Sequence, residues 1–222
     1  MKDHPILFNA EMVRAILDGR KTQTRRAIKA AVLDKVCGPS HIGSHGNGIW
    51  DFSWYGDTVG GFSLRCPFGV PGDSLWVRET VYAEELDSGL DGVHYLADDW
   101  FIPIENTVEA AERWGELDNY NRQRRTKRPT CPSVHMPRWA SRITLKIKRV
   151  WVERVQDISE MDSVAEGCKP IEIGGINPKT GESEPWESAK YSFEALWDSC
   201  YVDPRFKWFA NPFVWCCEFE KE

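Results

Sequence analysis

Strand-type alternation recurs along this chain without the regular helix spacing of a βαβ repeat. Ile143, Leu145 and Ile147 alternate with Thr144, Lys146 and Lys148, the period of a strand with one buried face. Val150, Val152 and Val155 carry the pattern on after a change of phase. The closing segment "FVWCCEF" puts Phe213, Trp215, Cys217 and Phe219 on one face. Earlier, after the turn Pro71-Gly72-Asp73, Leu75, Val77 and Val81 alternate with Trp76, Arg78 and Tyr82. Several strands with few helices between them imply an α+β chain built on a small β-barrel rather than a doubly wound sheet.

Three helices are legible. Asn9 is a good N-cap, Phe8 is placed to staple against Val13, and Met12, Val13, Ile16 and Leu17 form one stripe before Gly19. Ser159 and Asp162 open a short helix that ends at Gly167. A further helix spans residues 187–198, with Phe193, Leu196 and Trp197 facing inward. Two stretches break the pattern and read as insertions. Residues 31–65 are glycine-rich, with one short hairpin around "GIWDFSWYG". Residues 84–133 hold a helical candidate, "TVEAAERWGELDNYNRQRR", without a strong apolar stripe. With 222 residues and 41% hydrophobic composition, one core with long insertions is affordable, so a single domain over 1–222 is expected.

No apolar run reaches the roughly 18 residues of a membrane span, and the N-terminus lacks a basic-then-apolar leader. A cytoplasmic location without a membrane partner is therefore expected. Seven scattered cysteines with no CxxC pair argue for free thiols. Cys37, His41 and His45 have a spacing suggestive of metal but no fourth partner nearby, so no metal is expected. Net charge is −6, unevenly spread: Glu84 to Asp118 is acidic, while Arg122 to Arg154 is basic, as is the stretch from Arg20 to Lys29. The basic stretches can hold a polyanion, or neutralise the acidic insertion, or leave that insertion to a protein partner.

The stretch "GRKTQTRR" at residues 19–26 holds Lys21, Thr24, Arg25 and Arg26. As an extended segment it puts Thr22, Thr24 and Arg26 on one face and Gln23 and Arg25 on the other. Together with "PGDSLWVRET", "ISEMDSVAEG" and "FVWCCEF", the stretch "AILDGRKTQTRR" resembles the ASCH domains of the PUA-like superfamily. The addition of "PSVHMPRWASRI" resembles ASCH-like proteins of bacteriophages and prophages. The resemblance implies a PUA-like pseudo-barrel that binds RNA or modified bases. One ASCH branch, the amidohydrolases of N-acetylated cytidine, uses a lysine, a threonine and a glutamate. The matching motifs carry these onto Lys21, Thr24 and Glu166. Other ASCH members are RNA-binding or RNA-cleaving, so three readings stand. They are amide hydrolysis of an acylated cytidine, cleavage of RNA, and binding without chemistry. None needs a cofactor.

Chemically, a threonine hydroxyl attacks only once a neighbour takes its proton. A lysine serves as that neighbour only if burial lowers its pKa. Glu166 is expected at a helix C-terminus, where the dipole opposes a carboxylate by about 0.3–1 kcal/mol. That cost needs a partner or an exposed position, and an ion pair with Lys21 is a purely structural answer beside the catalytic one. Arg25 and Arg26 suit phosphate, or a solvated strand end. His135, Arg138 and Trp139 suit an unpaired base, with Trp139 equally suited to a core. Trp76 and Arg78 are candidates for the same pocket, and Glu79 interrupts an apolar face either at an edge or in that pocket. Cys131 and His135 could form a nucleophile pair, without specific support.

Overall fold

The computed structural model describes residues 1–29, 41–54, 60–123, 129–183 and 185–222. Cys37 and the basic residues Arg124, Arg125, Lys127 and Arg128 lie outside the described residues, as does part of the first insertion. The described residues form a mixed α+β fold, mostly sheet, with four α-helices. The first half contains β1 (Asp3–Leu7), α1 (Ala10–Leu17), β2 (Gln23–Ala27), β3 (His41–Ser44), β4 (Ile49–Trp54), β5 (Gly60–Arg65), β6 (Ser74–Arg78), β7 (Val81–Glu85), β8 (Asp91–Tyr95) and β9 (Trp100–Pro103). The second contains α2 (Val108–Gln123), β10 (Thr144–Arg154), α3 (Glu160–Ala165), β11 (Ile171–Ile173), β12 (Trp186–Ser188), α4 (Ala189–Cys200) and β13 (Phe213–Lys221). Among the described residues no ladder closes into a barrel, and no helix is long and apolar enough to cross a membrane.

The chain divides into two compact units, each assembled from separated segments. The first comprises Met1–Lys2, Gly19–Asp73 and Lys146–Glu220. Here β10, β13 and β2 lie side by side, and β13 pairs antiparallel with β2 so that Cys217 faces Thr24 and Cys216 faces Arg25. Both faces of β13 are covered: Val214, Trp215, Cys216 and Cys217 are all buried. Val214 and Cys216 join Phe193 and Trp197 of α4 in one core. Trp215 meets Trp50 and Phe52 of β4 edge-on at 5.9 and 6.1 Å. The apolar side chains on both faces explain the unbroken "VWCC" run. The first insertion thus supplies core: β3, β4 and β5 form an antiparallel sheet, and Phe52 stacks on Phe62 at 5.2 Å. Ser159 caps α3 by accepting from the Asp162 N–H, and Ser188 caps α4 by accepting from that of Tyr191. The break in phase expected near Val150 does not interrupt β10, which runs unbroken to Arg154.

The second unit comprises Asp3–Asp18, Ser74–Leu145 and Lys221–Glu222. β1 pairs parallel with β6, and α1 begins where the Asn9 side chain accepts from the Met12 N–H. The single strand expected through Leu75 to Tyr82 is two: it breaks at Glu79–Thr80, and β7 starts a separate antiparallel sheet with β8 and β9. α2 packs on this sheet through Leu117, in a core with Val81, Val93, Tyr95 and Met136.

Candidate functional site

Lys21 lies just ahead of β2 and forms an isolated antiparallel bridge with Glu166, the residue that caps α3 at its C-terminus. The Thr22 N–H donates to the Ala165 carbonyl at 2.7 Å, tying the two segments together. Gly167 follows with φ 91°, the left-handed turn that lets the chain leave the helix. Lys21 Nζ donates to Glu166 Oε2 at 2.6 Å and to the Glu166 carbonyl at 2.8 Å. One ammonium thus neutralises the carboxylate and caps the negative end of the helix, which removes the dipole conflict. Both residues are buried, at 2% and 3% exposure. Burial lowers the Lys21 pKa, against the opposing pull of Glu166.

Arg25 adds a second buried cation. Its Nε donates to Glu153 Oε1 at 2.7 Å, and its Nη1 to Gln23 Oε1 at 3.0 Å and Glu166 Oε1 at 3.3 Å. Asp162 Oδ2 lies 3.7 Å from Nη2, and Trp151 packs its ring under the guanidinium at 5.7 Å. Arg25 is therefore engaged by protein carboxylates and buried. Arg26 is half-buried and donates to the Arg25 carbonyl at 3.1 Å. Glu153, Asp162 and Gln23 are members of the cluster that sequence reasoning missed. The clue to Gln23 was its shared strand face with Arg25; the clue to Asp162 was its place in the first turn of α3.

Thr24 is completely buried, and its hydroxyl has no hydrogen-bond partner among the described residues. Strand alternation turns it to the side of Cys217, away from the Gln23–Arg25 face. Burial drives the Cys216 and Cys217 thiols well up, so both stay protonated and neither supplies a thiolate.

Most of the other sequence candidates fall in the second unit. Glu79 is buried at 1% exposure and holds a fork with Arg142, Nε to Oε1 at 2.8 Å and Nη2 to Oε2 at 2.9 Å. Arg142 forks again onto Asp98 at 2.9 and 2.7 Å and lies 4.1 Å over the Tyr95 ring. Glu79 is thus half of a buried ion pair, and Arg142 is its partner rather than a free basic side chain. Trp76 is buried, with Arg78 at 4.6 Å and Arg138 at 5.6 Å over its ring. Arg138 is exposed and pairs with Asp3 at 3.1 Å. Trp139 packs half-buried against the Val81–Met136 core, and His135 is exposed beside Tyr120. Cys131 is buried. His41 and His45 lie on or next to β3–β4, with His45 paired to Asp51. Among the described residues no group of His, Cys, Asp or Glu is arranged to hold a metal ion.

No family model, curated protein or solved structure matches the chain.

Proposed function

We propose that the chain is an ASCH-like protein with a PUA-like barrel, of phage or prophage type, that acts on a nucleoside or on a base in nucleic acid, RNA favoured. Most concretely, it hydrolyses the amide of an acylated cytidine. The observation that carries the reading is the buried Lys21 ammonium, its pKa lowered and its position fixed 2.6 Å from Glu166. A lysine so placed is closer to being a base than a solvated one. In the reaction Thr24 Oγ1, which strand alternation turns away from the Gln23–Arg25 face, bonds to the acyl carbon and passes its proton through a water to Lys21 in its neutral form. The carbon–nitrogen bond breaks, and the exocyclic amine leaves with a proton returned from Lys21. Water then hydrolyses the threonine ester and releases the carboxylic acid. Glu166 holds Lys21 and steadies its charge. The hydroxyl of Thr24 supports its part: nothing among the described residues uses that donor.

The test is release of cytidine and carboxylate from an N-acylated cytidine under multiple-turnover conditions. Wild type should turn over, and Lys21→Met should not. A wild type that binds acylated nucleosides or RNA without product would replace the enzyme with a binding module. That second reading is favoured by a different feature, the two guanidinium groups of Arg78 and Arg138 gathered on Trp76.

A further inference from the structure

Glu166 is claimed from two sides, and its two oxygens are divided between the claimants. Oε2 takes the Lys21 ammonium at 2.6 Å, and Oε1 takes Arg25 Nη1 at 3.3 Å. Both cations are buried, so water screens neither charge. The two differ in kind. A guanidinium keeps its charge at any working pH, whereas a buried ammonium gives up its proton readily. A carboxylate opposite a lysine favours the ammonium, and a second, fixed cation on the same carboxylate weakens that preference. Arg25 is held in place from the other side. Glu153 of β10 accepts from its Nε at 2.7 Å and Gln23 from its Nη1 at 3.0 Å. Its buried Nη2 has no hydrogen-bond partner among the described residues, with Asp162 Oδ2 3.7 Å away. Bracing the fold alone gives no reason to leave that nitrogen unsatisfied.

We infer that Arg25 is a positioning residue for the proposed hydrolysis: it holds Oε1 of Glu166, so that the carboxylate grips Lys21 less and Lys21 can release its proton and serve as the base. The inference rests on the acylated-cytidine reading for its reaction, but the link from Arg25 to Lys21 is a property of the fold. Charged and titratable groups face this link from several elements. β2 brings Arg25 and Arg26, α3 and its end bring Asp162, Glu166 and Cys168, and β10 brings Glu153. β13 brings Cys216 and Cys217, and Tyr201 follows α4. Burial pushes both of those thiols and the Tyr201 phenol up, so all three are neutral at neutral pH. At Lys21 itself burial favours the amine and prevails; Glu166 and Cys168 favour the ammonium, and the Arg26 charge opposes it. Arg25 works by a different route, through the carboxylate that Lys21 depends on.

NMR titration of the Lys21 side chain, in the full chain carrying isotopically labelled lysine, tests the link without substrate. Loss of the signal in Lys21→Met assigns it. Arg25→Gln should raise the Lys21 midpoint by about one pH unit, the lower end of what one close charge does. Arg25→Lys should raise it as well, since a lysine keeps the charge but cannot fork between Glu153 and Glu166. Glu153→Gln removes the anion that draws Arg25 away from Glu166 and should lower the midpoint. Glu153 is partly exposed, so this variant decides the matter if the Arg25 variants do not fold. On an acylated cytidine the acid limb of the pH–rate profile should move with each midpoint. A midpoint unmoved by Arg25→Gln, an Arg25→Lys variant that titrates like wild type, or a midpoint raised by Glu153→Gln would overturn the inference while leaving an active wild type intact. Midpoints that shift as expected in a wild type that releases no cytidine would overturn the reaction, and Arg25's part in it, while the link to Lys21 stands.

Discussion

Glu166 receives the Lys21 ammonium twice, once on its carboxylate at 2.6 Å and once on its own backbone carbonyl at 2.8 Å. The same carboxylate takes Arg25 on its other oxygen at 3.3 Å. Glu166 is thus the anion shared by two buried cations, and the two ends of this relationship are not equivalent.

The inequality is measurable. Glu166→Gln leaves two buried cations short of one negative charge and should cost about 3–5 kcal/mol. Lys21→Met removes one cation but leaves Glu166 with Arg25, and should cost about 1–3 kcal/mol. Urea unfolding of both variants decides it. Equal losses would mean that Arg25 takes little from Glu166.

The Arg142 double fork gives a second contrast. Arg142→Ala strands the buried Glu79 carboxylate and should cost about 3–5 kcal/mol. Asp98→Asn, at the more exposed end of the same network, should cost about 0–1 kcal/mol. Arg142→Lys should fall between them, since a lysine cannot span two carboxylates with planar forks. Denaturant midpoints at constant m-value make the comparison. A costly Asp98→Asn would show that the outer fork carries the network.

Much of this was legible beforehand and some was not. Caps and stripes are local, so the helix starts at Asn9 and Ser159 followed from neighbouring residues alone. The meeting of Lys21 and Glu166 was legible only through the motif resemblance and the dipole conflict, because the two are far apart in sequence. The β7–β9 sheet escaped notice because its strands are short and half polar, with Glu84, Glu85 and His94 on positions that a pattern search scores as loop. Nor could alternation alone assign β13, whose two faces meet different apolar partners. Arg142 looked like part of a basic patch; only the fold brings it to Glu79.

His94 should make stability depend on pH. Its folded pKa is raised above 6.5 by Glu84 and Asp99. The folded state therefore holds the proton more tightly than the unfolded chain. The His94 contribution is fully present below about pH 6.5 and is lost as pH rises through the folded value. Wild type minus His94→Gln, compared by thermal melts across that window, should show the difference shrinking as pH rises. NMR titration of the His94 ring should give a midpoint above that of a solvated histidine. A midpoint at or below the ordinary value would break the argument.

Thr24 supplies the sharpest test of the proposed chemistry, because its two contributions have opposite signs. A buried hydroxyl without a partner costs the fold about 1–3 kcal/mol. Thr24→Val keeps the shape and removes that hydroxyl, so it should leave stability unchanged or raise it by about 1 kcal/mol. If Thr24 Oγ1 attacks the acyl carbon, the same substitution should abolish turnover of acylated cytidine. Thr24→Ser restores the attacking group and should keep part of the rate. Lys21→Arg should not rescue Lys21→Met, since a guanidinium stays protonated and cannot take the hydroxyl proton. Removing Thr24 and Lys21 together should cost little more than removing one, because groups acting as a unit are not additive. Stability and rate must be read on the same preparations. A Thr24→Val variant that is as stable as wild type yet turns over at the wild-type rate would take the hydroxyl out of the reaction and leave Lys21, Arg25 and Glu166 as a structural clamp.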